Sequence, residues 1–134
     1  MAPVDVFRID AALAAEPPDP ANFTGRVRMQ NLAARGGTDE LDYLAVHFDA
    51  GAHTRPHSHS TDQLLYFVQG SGFVWLAGEE RQSIDEGGIV AIGAGLVHMH
   101  GATGAEAICH LAVRAPGPTD WSPPVPEDWR AWSL

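Results

Sequence analysis

His57 and His59 flank Ser58, Gln63 follows four residues later, and a further histidine stands far along the chain at position 98. Neutral imidazoles and a carboxamide oxygen are donors that suit a divalent transition ion. On a strand, residues two apart leave the same face, so His57 and His59 point together, and Gln63 shares their parity. The spacing predicts a bent strand between Pro56 and Gln69 that converges three donors, with His98 arriving from another strand as the fourth. A single histidine is most often a packed or solvated side chain; these together point to one metal ion per chain. Imidazole and amide donors with open positions suit Mn²⁺ or Fe²⁺, and the same set accepts Ni²⁺, Co²⁺ and Zn²⁺.

Other candidates surround this set. His100 shares the parity of His98 and is expected to face the same cavity. His110 lies on the last clear strand. Imidazoles titrate near neutrality and can move protons at physiological pH, so His100 and His110 are the candidate acid/base groups. Cys109 has the opposite parity to His110 and reads as buried packing. His47 and His53 are expected at the periphery. Asp39-Glu40 and Glu79-Glu80 read as solvated turn charges. No phosphate-cradling glycine loop and no G-x-S-x-G elbow is present.

Short strands separated by glycine turns must position these residues. Residues 41–48 read as a strand, as do 63–69, apolar on both faces, then 73–76 returning antiparallel after Gly70-Ser71-Gly72, then 89–92 and 107–113. Asp10 to Glu16 is expected to hold at most a short helical turn. Leu44, Val46, Leu65, Phe67, Phe73 and Trp75 are expected mainly in the core, some at a cavity mouth. Such a pattern is all-β, a sandwich or small barrel. With 134 residues the chain suits one domain. Proline marks its edges: Pro3, Pro17, Pro18 and Pro20 at one end, and five prolines between 116 and 126 at the other. We divide it into an N-terminal arm, 1–21, a barrel, 22–114, and a C-terminal arm, 115–134. Trp121, Trp129 and Trp132 argue that the last arm packs on the barrel or on a second subunit.

The net charge of −9, with eight arginines and no lysine, excludes the basic stripe needed for nucleic acid. Anionic membrane surfaces are disfavoured for the same reason. No apolar run approaches a membrane span. Met1 to Asp5 shows no secretory signal, and the one cysteine cannot close an internal disulfide. A cytoplasmic location is expected.

These motifs resemble the cupins. Gly51, His57, His59, Gln63 and Gly70 occupy the positions of that family's first signature, and Gly87, Gly95 and His98 those of its second. Gln63 stands where the family usually has glutamate, and Gly93 where it has proline. The resemblance implies a double-stranded β-helix, or jelly-roll barrel. The chain is further similar to small bacterial cupins that include manganese-dependent hydroxynitrile lyases. It shares their glutamine at the acidic ligand position, Phe23-Thr24-Gly25-Arg26-Val27-Arg28, the pair His98 and His100, His110-Leu111-Ala112, and a following Trp121. That likeness tips the metal to manganese and makes His110 the general base.

An enzyme acting on a small oxygen-bearing organic substrate is therefore expected, by lyase-type carbon–carbon cleavage or by a dioxygenase reaction on a diketone or phenolic acid. The non-enzymatic reading is a small-molecule-binding cupin. A sugar or keto-acid isomerase would want more cationic groups than Arg55 and Arg114 supply. Free sheet edges and tryptophan-rich arms suggest a homodimer or higher homo-oligomer.

Overall fold

The structure, a computed structural model, describes residues 6–32 and 40–131. Asp39 and Trp132 lie outside that range. Its strands are β1 (Phe23–Thr24), β2 (Val27–Asn31), β3 (Asp42–Phe48), β4 (His53–Thr54), β5 (Ser58–His59), β6 (Gln63–Gln69), β7 (Gly72–Leu76), β8 (Gln82–Ile84), β9 (Ile89–Ile92), β10 (His98–Ala102), β11 (Ile108–Arg114) and β12 (Thr119–Asp120). Helix is confined, among the described residues, to 3₁₀ turns at Ala11–Leu13, Pro20–Asn22 and Trp129–Ala131. The first is capped by the Asp10 carboxylate, which accepts from the Ala12 N–H at 2.9 Å.

Two five-stranded antiparallel sheets face each other as a jelly roll. One runs β1-β4-β10-β7-β8 and the other β2-β3-β11-β6-β9; β5 and β12 form a separate ribbon. Period-two alternation decides what each strand buries. On β3, β11 and β6 the inward residues include Val46, Phe48, Ala112, Leu65 and Phe67, and with Val74 and Ile92 they form the core between the sheets. Phe48, Leu65 and Phe67 are essentially inaccessible, each removing about 1.5–3 kcal/mol of apolar exposure.

Two expectations are corrected. β6 is not apolar-buried on both faces: Leu64 and Tyr66 point outward and remain exposed, because none of the described residues covers that part of the sheet. The segment after Gly70 does not fold back on β6. Gly70, at φ +77°, and Gly72, where a Cβ would collide with the Gly101 carbonyl and the Phe67 ring, redirect the chain into the opposite sheet. There β7 pairs with β10 and β8.

A smaller apolar cluster lies outside the second sheet. Leu32, Ala45 and Cys109 pack there with Phe7, Tyr43 and Leu111. The N-terminal segment is tied over it: the Asp10 N–H donates to Gln30 Oε1 at 2.9 Å, and Gln30 Nε2 donates to the Arg8 carbonyl at 3.0 Å. At the other end Trp129 covers His53 and Arg130 Nη1 donates to the Phe23 carbonyl at 3.0 Å.

Candidate metal centre and active site

His57 and His98 face each other through the backbone. The His57 N–H donates to the His98 carbonyl at 2.9 Å and the His98 N–H to the His57 carbonyl at 2.8 Å. That reciprocal pair sets two rings side by side, with centroids 4.3 Å apart. Each ring then folds back on its own chain: His57 Nδ1 donates to the Arg55 carbonyl at 2.7 Å and His98 Nδ1 to the Leu96 carbonyl at 2.9 Å. A carbonyl can only accept, so Nδ1 carries the proton in both and Nε2 keeps its lone pair.

His59 reaches the same place by another route. β5 pairs with β12, His59 opposite Thr119, and His59 Nδ1 lies 3.1 Å from Thr119 Oγ1. Its ring is 5.0 Å from that of His57 and 5.5 Å from that of His98. Gln63 opens β6 opposite Arg114 on β11. His57 and His59 therefore do not share one regular strand, as the spacing suggested. His57 stands on an isolated bridge to β10, and His59 on a two-residue strand.

His59 Nε2, His98 Nε2 and the Gln63 Oε1 are all buried with no hydrogen-bond partner. Leaving such groups unsatisfied costs about 1–3 kcal/mol each, and a cation is the partner that satisfies lone pairs without needing donors. Ligating nitrogens of His57, His98 and His100 lie within 4.8 Å of one another. The donor chemistry fits a divalent ion.

His100 and His110 form a second layer. His100 Nδ1 and His110 Nε2 are 3.0 Å apart in a buried hydrogen bond, with ring centroids at 4.8 Å. Phe48 packs against both rings. A register shift in the β11–β6 ladder, between Cys109 and His110, sits beside this pair.

Every imidazole here is held neutral. Burial pushes His110 down to about 3 and His59 down to about 4, with the Arg114 and His98 charges adding to the effect on His59. His57 is pushed well below its usual value by burial and then by His98, and His100 by burial and then by His110. His98 is lowered by burial. Neutral imidazole is the ligating and proton-accepting form. Cys109 is driven the other way by burial, to about 11, which makes it an inert thiol.

A cavity of about 100 Å³ opens on this cluster, lined by His57, His59, Gln63, His100 and His110 together with Phe23, Leu44, Val46, Phe48, Arg114, Thr119 and Trp121. Trp121 lies over His57 at 4.5 Å between ring centroids and meets Phe23 edge-on at 5.8 Å. The structure thus gathers His57, His59, Gln63, His98, His100 and His110 into one place. His47 and His53 stay outside it, and His53 is fully buried rather than solvated. Thr119 went unnoticed in the sequence, since nothing local marks a residue sixty positions from its partner. Arg114 carried a usable signal: it has the parity of His110.

Comparison with known proteins agrees with this architecture. Residues 44–114 match the Cupin domain family. A relative named (R)-mandelonitrile lyase, from Granulicella tundricola, is 33% identical over 92 residues, covering 69% of this chain and 70% of the relative. Among solved structures, a cupin-like protein from Thermotoga maritima is 29% identical with a TM-score of 0.78, covering 93% of both chains. A polyketide cyclase from Streptomyces resistomycificus, 17% identical with a TM-score of 0.74 over 92% of this chain and 89% of its own, shares the fold. The double-stranded β-helix, the two histidine motifs and the matched family model make this chain a member of the cupin family.

Proposed function

We propose that this protein is a mononuclear metal-dependent lyase that cleaves a carbon–carbon bond at a hydroxyl-bearing carbon of a small organic substrate, as in cyanohydrin cleavage. The observation that carries this reading is the set of buried, unpartnered donors at His59, Gln63 and His98 beside a cavity that His59 and Gln63 line together with the hydrogen-bonded His100–His110 pair. The name of the Granulicella relative supports the reaction class.

In this reading His57, His59, Gln63 and His98 hold one divalent ion, with manganese favoured by the glutamine-bearing cupin pattern. When bound, such an ion supplies Lewis acidity that lowers the pKa of a substrate hydroxyl. With carboxamide in place of carboxylate, the donor set adds no negative charge, so that acidity is not damped. Among the described residues no carboxylate lines the cavity, so the proton goes to an imidazole. His110 and His100 share one proton in their hydrogen bond, and each has a second nitrogen to take or give another. The hydroxyl proton passes to this pair, the C–C bond breaks as the carbonyl forms, and the proton returns to the departing carbanion or cyanide. Nothing is oxidised or reduced. Phe48, Phe23 and Trp121 line the cavity and give an apolar bed for the rest of the substrate.

The test is elemental analysis of the purified protein, followed by assays on mandelonitrile with and without O₂. One transition ion per chain and cleavage that persists anaerobically are expected. Activity only with O₂, on diketones or phenolic acids, would replace the lyase with a dioxygenase. A protein that retains no ion and turns nothing over would be a binding cupin.

A further inference from the structure

Arg114 is the last residue of β11, four positions beyond His110 on the same inward face. It faces Gln63 across β6, and it lines the cavity. Yet among the described residues it serves no carboxylate. Asp42, its cross-strand neighbour on β3, closes no ion pair with it. Its partners are two carbonyls, both reached by Nη1: Ala115 at 3.3 Å and Gly117 at 2.8 Å. Those bonds pin one end of the guanidinium, and among the described residues its Nε and Nη2 meet no acceptor.

The surroundings sharpen the point. The chain carries 17 acidic residues against 8 basic ones, but among the described residues no Asp or Glu lines this cavity, and the one charged wall residue is an arginine. Gln63, the cross-strand partner of Arg114 on β6, is a carboxamide and brings no charge to neutralise it. A guanidinium held at one nitrogen presents the remaining edge as a planar fork, the shape that a carboxylate matches with two parallel hydrogen bonds. A cavity of about 100 Å³ has room for a small acid.

We propose that Arg114 is a specificity-determining residue that selects substrates carrying a carboxylate, so that the preferred ligands are small 2-hydroxy or 2-oxo acids. This rests on the cavity being the substrate site, as proposed above, and it adds a ranking among that site's oxygen-bearing ligands: those with a carboxylate are held more tightly than neutral ones such as mandelonitrile, which the site still accepts. The carboxylate engages the free guanidinium edge while the neighbouring oxygen points toward the histidine cluster. A bound ion would itself attract anions, so the experiment must separate the two positive centres.

Calorimetric titration with mandelate and with mandelamide, its neutral isostere, does so when run on metal-free and manganese-loaded protein with metal content measured alongside. The wild type is expected to bind mandelate at least tenfold tighter than mandelamide in both forms. Arg114→Gln should reduce that preference to about twofold or less in the metal-free form while leaving mandelamide binding and metal content unchanged. Arg114→Lys should restore part of it. Equal binding of acid and amide by the wild type, or a preference that survives in Arg114→Gln, would overturn the proposal. So would binding of inorganic phosphate in preference to mandelate. Failure to load manganese would strike the metal reading alone, because the metal-free comparison still reports on Arg114.

Discussion

At the scale of residues, the donor set has separable members. His57→Ala and His98→Ala should each abolish metal retention, read by elemental analysis after dialysis, because each removes one of the two rings locked by the reciprocal backbone bridge. His59 and His100 compete for the third imidazole position: His59→Ala is expected to empty the site, whereas His100→Ala should keep the ion and lose turnover. Gln63→Glu should raise metal retention by about tenfold and lower activity, since a carboxylate binds the ion more strongly, damps its acidity and neutralises Arg114 opposite. Unchanged activity would remove Gln63 from the functional set. The metal-free protein should also lose stability in acid. His59 and His110 have folded pKa values depressed to about 4 and about 3, against an ordinary 6.5. Between those limits the unfolded chain binds more protons than the folded one, so stability is complete above about pH 6.5 and falls as pH drops toward 3. Thermal melts of the metal-free protein between pH 7 and pH 4 measure this, and bound metal should shift the loss to lower pH.

At the scale of elements, what was legible followed the periodicity. β6 and β9 appear with the limits read from the sequence, Gln63–Gln69 and Ile89–Ile92, because a short apolar run bounded by glycine is a local signal. The parity rule likewise put His98 with His100, and His110 apart from Cys109. The partner of β7 was not legible, since pairing is a long-range property and a Gly-Ser-Gly turn reads the same whether the chain doubles back or crosses to the other sheet. Nor was the route of His57 and His59, whose positions are fixed by β10 and β12 rather than by a strand of their own. Gly101 shows the same dependence on distant neighbours. A Cβ there would lie 2.5 Å from the Ala52 carbonyl oxygen, at the closest approach of β10 to β4. Gly101→Ala should cost about 1–3 kcal/mol in denaturant unfolding, because backbone rather than a flexible side chain must yield.

At the scale of the whole molecule, the outer face of the second sheet leaves Leu64, Tyr66 and Ile89 exposed, with Tyr66 directly opposite Ile89. Contiguous apolar surface of this kind marks association, and the expected homodimer is tested by sedimentation velocity: Tyr66→Glu should shift the protein toward monomer without changing metal content. The C-terminal segment has a different task. It brings Thr119 to His59 and lays Trp121 over His57, so residues far beyond the last long strand complete the cavity wall. The indole 4.5 Å from a candidate ligand ring gives the chain an optical reporter of its own. Filling the cavity should alter tryptophan emission in proportion to occupancy, and Trp121→Phe should silence that signal while Trp75 and Trp129 go on glowing unchanged.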